Sequence, residues 1–567
     1  MPRLPKGGNA CSYPETCDPA ISARLEWLSK FIGTLLPESV SLDTVQTGAD
    51  LSTVIKSRAI ATIGHGEEPQ THAWTTSESE FGTQTTIDLD SFSPGYSSLA
   101  TVSRPKLPAI PDLPIGITHL YIIKTYFSHF HLTYPFLDKD EILASLDTSE
   151  DLLAQDFMEL TRTSIKLYLV MALGCELLRR AHQLSSGFLS KLQVPYPEVV
   201  QLCLETSSIE SAQILMLLSM YSIHNLGGWP RWLITSLLGR QAIALGLNQK
   251  QGAGADLSRS ELESRNRLFW SIYSIDRLVS VSYGLPLAIN DNDVNIPLPA
   301  VTTEEFAAPD RDIRLKTLQI ARHTIALRAL EGRVLSHIHS TSTKCPNQQV
   351  DRRDAHRAIQ RFHDEIEDWY AQGCLNNQMH DLGVLYHSTI SWLNANYHRL
   401  LCLLYCSSSL NSELDTSATL HLYQLARKQV LSLQTERWDG QMALNHLTFC
   451  RIIVIVRILL HCYAKCGEDI KTTELREAVL LLKDLTSTLA PELEGAENFQ
   501  IVLQEFTRIL DGCCMNSHAA ITGVTYQTPP SLQTANLERV IIISKKLTRE
   551  ALGASSVYNH IFLDTKF

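Results

Sequence analysis

Asp291-Asn292-Asp293 and the neighbouring Asp276-Arg277 pair are the groups whose types and spacing could do chemistry in this sequence. Two carboxylates two residues apart suit a divalent cation. In an all-helical chain such a pair could hold magnesium against a substrate diphosphate, as terpene cyclases do. That chemistry also requires an Asp-Asp-x2-Asp run and a second acidic motif on another helix, and the sequence has neither. The expectation for Asp291–Asp293 is therefore a structural loop whose acids accept backbone N–H groups. Cys402 and Cys406 stand at i, i+4, as do Cys462 and Cys466 with His461 beside them. Two such pairs could converge on a metal; buried free thiols in a helical core are the expected alternative. His129 and His131 point about 200° apart on a helix and cannot chelate together. There is no Gly-x-Ser-x-Gly elbow, phosphate-binding glycine loop or His-Glu-x2-His. Nothing in these motifs argues for an enzyme.

The element that must position Asp276 and Arg277 is a helix over 260–283. Arg265, Phe269 and Tyr273 share one stripe of it, which Asp276 continues, and Leu268, Ile272, Ile275 and Val279 form another. Two apolar faces mean a buried helix, so Arg267, Asp276 and Arg277 must be locked in ion pairs or onto helix ends. They could also clamp a charged ligand, but structural pairing is the favoured reading. Gly284 and Pro286 break the helix, and AINDNDVNIPLP follows as an extended loop held by Ile289, Val294 and Ile296. Trp229, Trp232, Trp270 and Tyr283 serve a small-molecule pocket or plain core packing equally well.

Around that centre the texture is helical. HLYIIKTYFSHFHLTYPFLDKDEILASL reads as one helix, a Tyr-Pro-Phe corner and a second helix capped near Asp138, and further helices are expected at about 155–184, 208–226, 230–248, 260–283, 312–340, 351–373, 381–407, 415–434, 442–466, 471–488 and 497–514, with a last one near 533–551. The fold class is all-α, and helices such as 212–221 are apolar on nearly every face, which implies central burial. Forty-nine basic against 60 acidic residues give a net charge of −11, so no basic patch of the kind that phosphate binding needs stands out. The 13 cysteines form no framework and include no Cys-x2-Cys pair, which fits a reducing compartment and argues against a complete zinc module in these residues. The longest apolar runs fall short of a membrane span, and no membrane association is expected.

The N-terminal part reads differently. Ile21, Leu25, Leu28, Ile32 and Leu35 recur at heptad spacing until Pro37, either a docked helix or a candidate dimerising coil. Residues 38–112 are rich in Ser, Thr and Pro with no sustained period, as expected of a disordered linker.

The arrangement R-x-R-x-F-W-x2-Y-x2-D-R-x4-S-x-G-x-P-x2-I-x-D-x-D-V-x-I-P-L-P is carried by Arg265, Arg267, Phe269, Trp270, Tyr273, Asp276, Arg277, Ser282, Gly284, Pro286, Ile289, Asp291, Asp293 and Pro299. It resembles the middle homology region of fungal zinc-cluster transcription factors. ESAQILMLLSMY, LLGRQAIALGLNQ and YFSHFHLTYPFLDKDEI look like further parts of the same region, so the resemblance covers roughly 115–450. Leu285 stands where the family usually has Arg, and Asn295 where it often has Asp. In that family a six-cysteine binuclear zinc cluster precedes a linker and coiled coil, and its last cysteine is commonly followed by an aromatic residue and a proline. GGNACSYPE is similar to the tail of such a cluster, with Cys11 as the sixth cysteine and the first five missing.

The resemblance implies a layout of cluster remnant (1–20), coiled-coil-like helix (21–37), linker (38–112) and helical regulatory domain (113–567). It further implies a nuclear regulator of transcription, of a dedicated pathway such as a biosynthetic gene cluster. Zinc and DNA contact would come through a restored N-terminus, a homodimer through 21–36, and control from a small-molecule inducer or a protein partner.

Overall fold

The structure is a computed structural model that describes residues 106–108 and 112–560, apart from 154–156, 190, 225–229, 251–256, 340–351, 374–388, 409–413, 440–441, 444, 490, 492, 494 and 523–529. The readings of Cys11, of the heptad helix and of the linker up to residue 105 lie outside these residues.

The fold is all-α, with one three-residue antiparallel pair. Strand β1 (Lys106–Pro108) pairs with β2 (Phe157–Glu159), Leu107 opposite Met158. Both differ from the sequence expectation. Composition places residues 106–108 in the linker, yet Leu107 is fully buried. The helical pattern from 155 takes in residues 157–159, but the helix starts at Arg162 behind a Thr161–Ser164 capping box.

The first apolar core is built by α1 (His119–Thr133), α2 (Lys139–Leu153), α3 (Arg162–Arg180), the single turn α4 (Ser186–Leu189), α5 (Tyr196–Glu205), α6 (Ile209–His224), α7 (Arg231–Ala244) and most of α8 (Arg259–Tyr283). Helix α5 was not anticipated. Pro197 sits in its first turn, a helix-start position that reads as a breaker when taken alone. From Ile214 to Ile223 helix α6 is buried all round, as its run of apolar and aromatic residues interrupted only by serines requires, and Ser219 is satisfied by Thr235 at 2.7 Å.

The second core lies among α9 (Thr303–Ala307), α10 (Arg311–Ile338), α11 (Arg352–Ala371), α12 (Ile390–Tyr405), α13 (Thr416–Trp438), α14 (His446–Cys466), α15 (Thr472–Leu489), α16 (Ala496–Thr522) and α17 (Pro530–Leu552), with α9 lying at its edge against α10. Helix α14 is long and apolar enough to cross a bilayer, with a mean hydropathy of 1.8 over its best window, but 72% of that window is buried inside the protein. It forms the central strut of this core.

Helix α8 joins the two cores. Leu268, Ile272, Ile275 and Val279 enter the first, and Val281 the second. Its neighbours are α7 on one side and α10 on the other. Its start is fixed by a capping box between Ser258 and Glu261.

Candidate functional site

Polar groups spaced along α8 pin the following loop across its surface. Arg277 and Asp276 are both fully buried. Arg277 Nη1 donates to Asp276 Oδ2 at 2.9 Å, and Nη2 donates to the Ile289 carbonyl at 2.9 Å and to Asp291 Oδ1 at 2.6 Å. Asp276 accepts the backbone N–H of Ala288 at 3.0 Å and of Ile289 at 3.3 Å. The Tyr273 hydroxyl also donates to Asp291 Oδ1, at 2.7 Å, and the Arg277 guanidinium lies 3.4 Å over the Tyr273 ring. Gly332 on α10 makes room for this stack: a Cβ there would sit 3.1 Å from Arg277 Cγ.

Burial is the dominant pressure on Asp276. It raises the carboxyl above its ordinary value against the pull of Arg277 and the two N–H groups. Burial likewise raises the Tyr273 phenol, which stays neutral and donates. The acids of the Asp291–Asp293 turn behave differently from expectation. Asp291 accepts from side chains, while the backbone N–H of Asn292 goes to Asn290 Oδ1.

A second latch holds the far end of the loop. Arg267 donates to Glu305 through Nη1 (2.7 Å) and Nη2 (2.6 Å), to the Ala300 carbonyl (2.8 Å) and to Glu263 (3.1 Å). Glu263 in turn accepts the Ala300 N–H at 2.7 Å. Burial works against Glu305, but the forked hydrogen bonds of Arg267, the Thr302 N–H and the Arg314 charge outweigh it and hold the carboxyl at about 2.

The remaining motif residues complete the fastening. Arg265 caps the Leu245 carbonyl at the end of α7 (3.0 Å), and Phe269 is buried in the first core against Trp270 and Tyr273. Trp270 Nε1 donates to the Pro297 carbonyl (2.7 Å), and Trp232 Nε1 to that of Pro286 (3.1 Å). The Asp293 carbonyl accepts Asn248 and Gln249. Pro299 is buried beside an open cleft of about 780 Å³ whose wall includes His323, stacked on Trp369. Two of the four aromatics weighed as pocket lining thus serve as loop anchors; Trp229 lies outside the described residues.

What closes this arrangement comes from far along the chain. Gly284 ends α8 with φ +67°, and its carbonyl accepts the N–H of Val557 at 2.8 Å. Ser556 Oγ donates to the Tyr283 carbonyl (2.5 Å) and Tyr558 to that of Val281 (2.6 Å). The chain end therefore caps α8 across more than 270 residues. A Cβ at Gly284 would lie 2.6 Å from the Tyr558 ring. Gly284→Ala is accordingly expected to lower stability by about 2 kcal/mol or more, from the left-handed backbone and the overlap together. Urea denaturation checks the loss, and faster proteolysis near residue 556 should accompany it.

Chemically the arrangement is a fastening. Asp276 and Asp291 are both bonded to the same guanidinium. Among the described residues no group of three or more His, Cys, Asp and Glu is placed to hold a metal. Cys402, Cys406, Cys462 and Cys466 are free and buried.

Residues 123–371, which include the whole of this latched segment, match the fungal specific transcription factor domain. The match assigns residues 123–371 of the chain to that domain. It is 27% identical over 479 residues to Protein STB5 of Saccharomyces cerevisiae, covering 77% of this chain and 58% of that protein. It is 32% identical over 269 residues to the negative regulator of pleiotropic drug resistance STB5 of Candida glabrata, covering 44% of this chain and 25% of that protein. Transcription factor cpaR of Aspergillus oryzae is 25% identical over 239 residues, 40% of this chain and 38% of cpaR. The chain thus spans 58% and 25% of the lengths of the first two relatives. No solved structure matches it significantly. Within this fungal transcription factor domain, the segment that carries the family likeness is the one the latches fasten between the two cores.

Proposed function

We propose that the protein is a nuclear regulator of RNA polymerase II transcription in a fungus, dedicated to one pathway or gene cluster, and that its helical domain exerts the control. The observation that carries this reading is the family match over 123–371, and relatives named as transcription regulators support it. The reading assigns the domain no catalysis; of the two acids that resemble a magnesium motif, Asp291 is held by Arg277 and Tyr273. The helical domain would respond to a ligand or a partner, and the continuity of α8 through both cores supplies a route for that response.

A second reading has the helical domain act through protein partners, other regulators of the same family among them, rather than through DNA contact of its own. Transcript profiling of a deletion strain, paired with chromatin occupancy of the tagged chain, tests both. The first reading expects a compact set of altered genes with the tagged chain at their promoters. The second expects that occupancy to vanish when a partner regulator is removed. Unaltered transcripts with no promoter occupancy would contradict both.

A further inference from the structure

The open cleft beside Pro299, about 780 Å³ in volume, has the size of a small-molecule site, roughly 300–1,000 Å³. Helix α10 contributes the longest part of its wall, from Leu315 to Arg333; α11 and the loop before α9 supply the rest. Pro299, Val301, Leu315, Leu318, Ala326 and Ala329 make that wall mainly apolar. Leu315 is 41% exposed, so apolar surface there stands open to water. Four charged side chains also line the cleft. Arg333 pairs with Glu365 at 2.6 Å, and Arg322 and Asp368 add one charge of each sign. Two guanidiniums against two carboxylates leave the wall without net charge, and nothing in it draws in an ion of either sign.

His323 is the polar group that the fold holds in place. Its Nε2 donates to the Trp369 carbonyl at 3.1 Å, and Trp369 Nε1 donates to the His323 carbonyl at 3.2 Å. The two rings stack, 4.9 Å apart and 10° from parallel. A carbonyl can only accept, so Nε2 carries the hydrogen and Nδ1 of the neutral ring is an acceptor. Burial lowers the imidazole pKa against the pull of that carbonyl and keeps the ring neutral. The reciprocal bonds tie α10 to α11, so ring and acceptor are positioned before any ligand arrives.

We propose that this cleft binds an uncharged, largely apolar aromatic molecule that donates one hydrogen bond to His323 Nδ1. The apolar wall supplies the affinity, the stacked rings favour a flat partner, and the fixed acceptor selects a ligand that carries a donor. Ala300 lines the same cleft, and its N–H and carbonyl are held by Glu263 and Arg267 on α8. A molecule seated there therefore touches the second latch and the α10–α11 pair at once. That such binding is what the regulator responds to rests on the function proposed above. The binding itself is tested without any transcriptional readout.

The probe is N-phenyl-1-naphthylamine, an uncharged aromatic amine with one N–H donor, whose fluorescence rises in apolar surroundings. The purified full chain is titrated into a fixed low concentration of it. Saturable enhancement is expected, with Kd below about 100 μM. The same rings bearing an anion, 1-anilinonaphthalene-8-sulfonate, should bind at least about fivefold more weakly, since no surplus positive charge offsets the loss of water from the sulfonate. Ala326 is exposed, so Ala326→Trp should fold normally and weaken the uncharged probe at least about tenfold by filling the cleft. His323→Phe keeps a stacked ring and removes the acceptor, for a loss of about fivefold. It should leave unchanged the binding of the N-methylated amine, which has no hydrogen to donate; a merely structural role would weaken both. Should His323→Phe fail to fold, Ala326→Trp decides alone. Titrations without saturation, tighter binding of the sulfonate, a Kd unmoved by Ala326→Trp, or equal losses of both amines in His323→Phe would overturn the proposal.

Discussion

Arg277→Met is expected to lower the free energy of unfolding by about 3–5 kcal/mol, a large share of what holds a typical domain together. The substitution keeps most of the side-chain volume, so the loss comes from charge. Asp276 would remain at zero exposure with only the Ala288 and Ile289 N–H groups and a 3.4 Å contact from Ser280. Asp291 would keep the Tyr273 hydroxyl and lose its cation. Removing both charges is a different matter. Asp276→Leu with Arg277→Met should recover much of the stability, because an apolar pair of similar volume carries no desolvation penalty. Urea midpoints of the two single variants and the double variant form the cycle that separates pairing from packing. A single Arg277→Met variant within about 1 kcal/mol of the parent would contradict a latch of this strength.

Acid should loosen the protein well above the usual carboxylate range. Three histidines are held neutral: burial, reinforced by neighbouring cations, pushes His131 and His224 down to about 3, and burial pushes His339 to about 4. The geometry agrees, since Arg180 donates to His224 Nδ1 at 3.0 Å and His339 Nε2 donates to the Leu403 carbonyl at 2.6 Å. A histidine whose folded pKa is depressed contributes stability that is present above its unfolded pKa, near 6.5, and lost as pH falls toward the folded value. Between pH 6.5 and 5 that amounts to about 2 kcal/mol for each histidine. Glu436 works in the opposite sense. Its folded pKa is raised to about 7, so its contribution is full below about 4.5 and lost as pH rises through 7. Acidification to pH 5 therefore returns about 2–3 kcal/mol from Glu436, leaving a net loss of about 3 kcal/mol. The midpoint of thermal unfolding should drop between pH 6.5 and 5 and continue to drop toward pH 4. A midpoint that is flat or rises over that window would show these histidines to be accessible to protons.

The sequence exposes α8 and the loop behind it because their signals are local. Ser258-x2-Glu261 marks the start, Gly284 and Pro286 mark the stop, and two apolar stripes with charges between them leave the charges no solvent to face. Which carboxylate meets which guanidinium was not legible. Asp276 and Asp291 reach the same Arg277 only because the loop doubles back over the helix. Thr302-x2-Glu305 is a readable capping box, yet Glu305 serves Arg267, 38 residues earlier, as well.

The parts that escaped are non-local. Ser556, Val557 and Tyr558 look like an ordinary chain end until tertiary packing brings them to Gly284. Arg328 and Glu331 sit at i, i+3, the spacing of a solvated surface pair, and only burial by α12 through α14 turns them into a charged interior. Helix α5 and strand β2 were misread for the reverse reason, since Pro197 and a three-residue strand are weaker than their surroundings suggest.

The central claim is that this chain controls transcription, and tethering tests it most directly. The full chain would be fused to an unrelated sequence-specific DNA-binding module and its effect on a reporter gene compared with that of the module alone, in a fungal host. The account predicts a change in reporter transcript that Arg277→Met abolishes by unfolding the helical domain and that Asp276→Leu with Arg277→Met restores. A reporter indifferent to the tethered, folded and nuclear chain would contradict it.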